Sequence, residues 1–221
     1  MSQPLAEQAT EPLAEISPQL LSEVLTTKLC HDLVSPVGAV NNGIELIQEM
    51  GDDVRDEAME LIAGSALAAA RRLTYYRLAF GMTSQRSKVS VADARQVATS
   101  LFENSRIELD WPRYLIIPFE GGALPKAVLN VLLLAEEALQ RGKIELASQE
   151  GRGRLTFRLM GSEPGLSDES RAAFDGNVAA ADLTPRTIQV CLTGLVLREH
   201  GFFLTFDPVG TDRLDLHMGR R

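Results

Sequence analysis

Leu21, Leu25, Leu29, Leu33, Val37, Val40, Ile44 and Ile47 recur three or four positions apart, the spacing of one buried stripe along a helix. Ser17-Pro18 supplies an N-cap and a first-turn proline, and Gly51 follows Met50, so the pattern predicts a helix over about 18–50. Asp52-Asp53 are placed to cap a second helix that reaches about Phe80, before Gly81. Along it Met59, Ile62, Ala66, Ala69, Leu73, Tyr76 and Phe80 alternate three- and four-residue steps, the rhythm of a supercoiled seam. Two long helices joined by a tight turn make a hairpin. Each helix then has one neighbour, and stripes of this length stay partly uncovered. A second copy packed across a twofold axis as a four-helix bundle covers them; the alternative is that the hairpin packs on the rest of its own chain. Small residues from Ala63 to Ala70 permit close helix approach at one level.

From about Lys88 the period changes. Residues 92–103 read as a helix, 106–110 as a strand, 124–140 as a helix after Gly121-Gly122, and 143–148 with 154–160 as a strand hairpin turning at 149–153. Thr184-Pro185 repeats the cap-plus-proline signal for a helix to about Glu199. Strands at 202–206 and 213–217 follow, separated by Pro208-Val209-Gly210. The order predicts an α+β fold: an N-terminal helical hairpin that forms a four-helix bundle by dimerisation, plus a C-terminal α/β sandwich with helices on one face of a mixed sheet. The domains are expected at 17–82 and 88–221. Residues 1–16, polar and acidic with Pro4 and Pro12, are expected to be a disordered tail.

Hydrophobic residues make up 45% of the 221 and charged residues 24%, so most of the chain should fold. A formal net charge of -8 argues against nonspecific binding to nucleic acid or an anionic membrane. No apolar run approaches the roughly 20 residues of a membrane span, and the first residues lack the pattern of a signal peptide, so the expected compartment is the cytoplasm. Cys30 and Cys191 fit no metal spacing and are read as reduced thiols.

Candidate chemistry concentrates in His31-Asp32-Leu33-Val34-Ser35-Pro36. His31 lies two residues from both Leu29 and Leu33, about 200° round the helix from the apolar stripe, and should meet solvent or a partner. A neutral imidazole keeps a lone pair on one nitrogen while the other holds a proton, so an exposed histidine can attack phosphorus. Asp32 can accept that second N–H and fix the tautomer. Ser35, one turn on, can bond a phosphoryl group or an attacking water, and Lys28 can add positive charge. Pro36 removes a helix hydrogen bond and should kink or loosen the helix. His200 and His217 suit packing or surface roles, and no residue cluster has metal-ligand spacing.

The box from His31 to Pro36 resembles the phosphoacceptor motif of bacterial histidine kinases, a His-acid pair with a proline five positions after the histidine. The hairpin is similar to their dimerisation and phosphotransfer domain, and the C-terminal sandwich to their ATP-binding domain. Asn130 matches the first nucleotide-binding asparagine of those kinases, but Leu134 stands where the magnesium-binding one belongs. Gly161-Ser162-Glu163-Pro164-Gly165 lacks the adenine-reading aspartate, and Thr187-Ile188-Gln189-Val190 replaces the phosphate-covering glycines. By that resemblance the domain is degenerate and the chain itself binds no cofactor. Ser35-Pro36-Val37-Gly38-Ala39-Val40-Asn41-Asn42-Gly43-Ile44-Glu45-Leu46 is similar to the ChpT-type histidine phosphotransferases of alphaproteobacterial cell-cycle phosphorelays.

That resemblance implies a phosphotransferase that is not an ATP-dependent kinase, with His31, Asp32 and Ser35 as its site residues. It implies a homodimer whose partners are the receiver domain of a hybrid histidine kinase and response-regulator receivers of the CtrA and CpdR kind, Mg2+ being carried by the receivers. His31 would shuttle the phosphoryl group between receivers. The alternatives are a receiver-directed phosphatase using Ser35 and water, a non-catalytic scaffold that binds a kinase or receiver, and an unconventional autokinase.

Overall fold

The computed structural model describes residues 18–81, 89–149, 153–179 and 182–220. The expected tail at 1–16, most of the join between the two domains and the centre of the turn at 149–153 lie outside the described residues. Helix α1 (Pro18–Met50) and helix α2 (Arg55–Ala79) form the hairpin, joined by a 3-10 turn at Gly51–Val54. Asp52 and Asp53 sit inside that turn and do not cap α2, whose N-cap is Val54 without a side-chain bond. Asp52 instead pairs through its carboxylate with the side chain of Arg55, the first residue of α2.

Helix α1 runs through Pro36 without a break. Proline there leaves one carbonyl, that of Asp32, without its usual helical donor, and the rest of the ladder on both sides is enough to carry the helix on. Close contact between the helices depends on Gly43: a Cβ there would lie 2.6 Å from Ile62 Cγ1 and 3.2 Å from the Ala58 carbonyl. Any larger residue has to push the pair apart.

The C-terminal elements are α3 (Val91–Phe102), β1 (Ile107–Asp110), α4 (Leu124–Leu139), β2 (Gly142–Gln149), β3 (Arg154–Met160), α5 (Asp168–Asp175), α6 (Pro185–Glu199), β4 (Phe202–Val209) and β5 (Arg213–Arg220). They build a five-stranded mixed sheet in the order β1-β2-β3-β5-β4, parallel only between β1 and β2. Period-two alternation buries Ile144, Leu146, Leu155, Phe157, Leu159, Leu214 and Leu216. The opposite face carries a row of paired charges, Glu145 opposite Arg158 and Arg158 opposite Asp215. The expected α+β architecture is present, with two differences. Strand β4 continues through Pro208 to Val209, because an edge strand tolerates a missing N–H. Helix α5, capped by Ser167 and ended by Gly176 in the left-handed region, was not anticipated.

The two parts share one core. Tyr75, Tyr76 and Ala79 at the end of α2 join the cluster built by α3, α4 and the sheet. Tyr76 has the spacing of the supercoiled seam, yet it is buried against its own C-terminal domain. Farther up the hairpin the stripe is uncovered. Val37, assigned to the core by its spacing, is 51% exposed, and Ile44, Met59 and Leu73 are exposed as well. Among the described residues nothing covers these side chains.

Candidate functional site

The solvent-facing side of α1 presents His31 as its spacing predicts, with a side chain 70% exposed beside an Asp32 only 8% exposed. Nδ1 of His31 lies 3.3 Å from Asp32 Oδ1. With the proton on Nδ1, the ring donates to Asp32 and keeps a lone pair on Nε2. Among the described residues Nε2 has no hydrogen-bond partner.

Asp32 itself is held from several directions. Its Oδ2 accepts from Lys28 Nζ at 2.6 Å and from the Tyr76 hydroxyl, and Arg72 Nη1 stands 3.6 Å away. Burial alone would raise the pKa of this carboxyl. The hydrogen bonds from Lys28 and Tyr76, the Lys28 charge and the His31 contact outweigh it and hold the group below the usual carboxylate range. Asp32 therefore stays ionised, with Oδ2 anchored and Oδ1 turned to the histidine.

Arg72 reaches this cluster from α2. Its Nη1 donates to the Tyr76 hydroxyl at 3.2 Å and its Nη2 lies 3.3 Å from Glu136 Oε1 on α4. Burial opposes its charge, but Glu136 foremost, then Tyr76 and Asp32, keep the guanidinium protonated and raise its pKa. Burial likewise pushes the Tyr76 phenol above its ordinary value, with Arg72 opposing and Asp32 adding to the rise. The hydroxyl thus keeps its proton and donates it.

Beside His31 a cleft of about 540 Å3 opens between the helices, lined by His31, Asp32, Ser35, Pro36 and Ala39 from α1 and by Gly64, Ser65, Ala68 and Arg72 from α2. The small α2 residues make the space: a Cβ at Gly64 would meet nothing within 4 Å. Ser35 is exposed and lines the same cleft. All three expected site residues thus meet in one place. The reading from sequence missed Tyr76 and Arg72 as members of the site, and it gave Lys28 to the histidine where the structure gives it to Asp32. Tyr76 and Arg72 lie four apart on α2, a spacing that puts both on one helical face, but no local signal says that this face meets Asp32.

The positions that resemble a kinase's nucleotide site are occupied by packing. Asn130 is fully buried, and its Nδ2 donates to the Ala79 carbonyl at 2.8 Å and to the Lys126 carbonyl at 2.9 Å. It satisfies an orphan acceptor at the end of α2. Leu134 is fully buried too. Thr187, Ile188, Gln189 and Val190 are buried in α6, and the Thr193 hydroxyl lies 3.0 Å from the Asn130 carbonyl oxygen. Among the described residues no group of His, Cys, Asp and Glu is placed to hold a metal ion, and no helix is long and apolar enough to cross a membrane.

The protein phosphotransferase ChpT of Brucella abortus (strain 2308) is 38% identical over 144 residues, a match that spans 65% of this chain and 62% of that protein. The 1.7 Å structure of a bacterial phosphotransferase superposes with a TM-score of 0.77 at 27% identity, covering 94% of this chain and all of that one. The family described as the histidine phosphotransferase C-terminal domain matches residues 91–212, more than half of the sequence, and the chain belongs to that family.

Proposed function

We propose that the protein is a phosphohistidine shuttle in a phosphorelay. His31 Nε2 attacks the phosphorus of an aspartyl phosphate on one receiver domain; the N–P bond forms as the P–O bond breaks and the receiver's carboxylate leaves. The ring, still protonated on Nδ1, takes on positive charge that Asp32 balances. Attack by the aspartate of a second receiver reverses the step and restores the neutral ring. Phosphoryl transfer asks for alignment and charge neutralisation more than covalent help. Ser35, exposed on the cleft beside the ring, is placed to bond the phosphoryl oxygens. The observation that carries the reading is the exposed imidazole held by a buried, ionised carboxylate.

In this reading Mg2+ stays with the receivers and the chain uses no ATP, because Asn130 spends its amide on the end of α2 and the glycine-loop position is helical. The partners are the receiver of a hybrid histidine kinase and receivers of the CtrA and CpdR kind, in the cytoplasm. The working form is a homodimer. Val37 and Ile44 on α1 and Met59 and Leu73 on α2 are exposed large apolar residues in the stripe each helix presents, and a second hairpin covers them as a four-helix bundle.

A radiolabel assay tests the shuttle. Purified protein and the His31→Ala variant receive either ATP alone or a phosphorylated receiver. Acid-labile label from the receiver, on the wild type only, supports it. Label from ATP alone would mean an autokinase. Dephosphorylation of the receiver that survives His31→Ala would mean a phosphatase. Receiver binding without any movement of label would leave a scaffold.

A further inference from the structure

An unbroken chain of side chains leads from the C-terminal domain to the imidazole. Glu136 Oε1 meets Arg72 Nη2 at 3.3 Å, Arg72 Nη1 donates to the Tyr76 hydroxyl at 3.2 Å, that hydroxyl donates to Asp32 Oδ2, and Asp32 Oδ1 faces His31 Nδ1 at 3.3 Å. Resting on the phosphotransfer reading above, we propose that Tyr76 and Arg72 are positioning residues for His31, and that Glu136 enlists the C-terminal domain in holding the histidine in its reactive tautomer.

The geometry separates this from an ordinary stabilising ion pair. Arginine–carboxylate pairs are frequently forked, as Arg213 and Asp215 are on β5. Arg72 instead comes no nearer to Asp32 than 3.6 Å and bonds the phenol and Glu136. The phenol completes the hold on Oδ2 that Lys28 begins, which fixes the plane of the carboxylate and leaves Oδ1 to the ring. A carboxylate free to rotate would release the Nδ1 proton. The imidazole could then carry its proton on Nε2, the nitrogen that must attack, and that fraction of molecules would be inert.

The far end of the chain is equally fixed. On α4, Glu136 is one of several residues that meet the last turns of α2: the Leu129 carbonyl accepts from the buried Tyr75 hydroxyl at 2.7 Å, and Asn130 donates to the Ala79 carbonyl. Lys126 Nζ reaches the Gly81 carbonyl at 3.5 Å. The helix that resembles a nucleotide-binding element therefore lies docked along α2, with Glu136 at the level of Arg72. Its domain has a task at the phosphoacceptor that involves no ligand of its own.

Tyr76→Phe, Glu136→Gln and the double variant test the chain. Tyr76→Phe keeps the buried ring and removes only the hydroxyl; Glu136 is one-third exposed, so its variant keeps the fold if Tyr76→Phe does not. Two readouts are needed: nitrogen chemical shifts of the His31 ring, which report the tautomer without any partner, and kcat and KM for transfer from a phosphorylated receiver. Each single variant should raise the Nε2–H fraction and lower kcat by about 3- to 10-fold with KM unchanged. The double variant should match Tyr76→Phe within about twofold, since both changes cut one chain. Wild-type tautomer ratios and wild-type kcat in both folded single variants would overturn the proposal, as would losses that multiply. A wild type that takes no label from any receiver defeats the shuttle itself, whereas the tautomer ratio judges the positioning chain independently.

Discussion

Asn130→Asp is the most informative single atom exchange in the C-terminal domain. In the wild type the amide donates two hydrogen bonds, to the carbonyls of Ala79 at 2.8 Å and Lys126 at 2.9 Å, from a fully buried position. An ionised aspartate would aim oxygen at both carbonyls and carry an uncompensated charge into the core. Stranding such a charge costs about 3–5 kcal/mol, and for a domain of this size that lowers Tm by about 10 °C. The carboxyl avoids the charge by taking a proton, so its folded pKa is pushed above the unfolded value of about 3.9. A group raised in this way costs little below the unfolded pKa, where it is protonated in both states and can donate to Ala79. The penalty then grows as pH rises and levels off above the folded pKa. Asn130→Leu, which loses the donors without adding charge, should cost about 2 kcal/mol at every pH. Urea unfolding of the three proteins from pH 4 to pH 8 measures this. A difference between Asn130→Asp and wild type that is under about 1 kcal/mol at neutral pH, or that does not change with pH, would refute the structural role assigned to Asn130.

Asp32→Asn should leave His31 exposed but free to hold either tautomer, slowing receiver-to-His31 transfer on the order of 100-fold in a rapid-quench assay; a loss of under about 3-fold would contradict the role given to the carboxylate. Met59→Glu combined with Leu73→Glu places charges on the uncovered stripe of α2. Light scattering behind a sizing column should then give a dimer mass for the wild type and a monomer mass for the variant. Burial raises Asp215, but the hydrogen bond and charge of Arg213, then Arg158 and His217, bring it below its ordinary value. Its stabilisation is present above the unfolded pKa of about 3.9 and is lost as pH falls through the lower folded value. Asp215→Asn should therefore flatten the acid limb of a stability-pH profile.

The helices of the hairpin were legible because each writes its own period over about six turns or more, and a period needs no knowledge of the rest of the chain. The position of His31 opposite Leu29 and Leu33 followed from the same arithmetic. Covering the stripes was a different matter. Tyr76 and Met59 share one seam by spacing, but Tyr76 is buried by a domain far along the chain while Met59 stays exposed; spacing states that a residue wants cover, not what supplies it. Arg72 with Glu136 and Tyr76 with Asp32 are pairs 64 and 44 residues apart, beyond any local pattern. Helix α5 did carry a signal, Ser167 before an acidic first turn and Gly176 after Asp175. At eight residues with few apolar positions, it offers periodicity almost nothing to count.

The two ends of the sheet carry a last consequence. One edge is β1, four residues long and bearing Glu108 and Asp110, both paired with Lys143; the other is β4, which carries Asp207 and Pro208. Short length, charge and proline are the features that stop a foreign strand from adding to a sheet. A protein whose helices display apolar surface runs a standing risk of clumping during the encounters that surface invites. Here that risk is confined to helices, which associate by side-chain fit and can let go again, while the backbone edges that could seed an irreversible ladder are blunted on both sides.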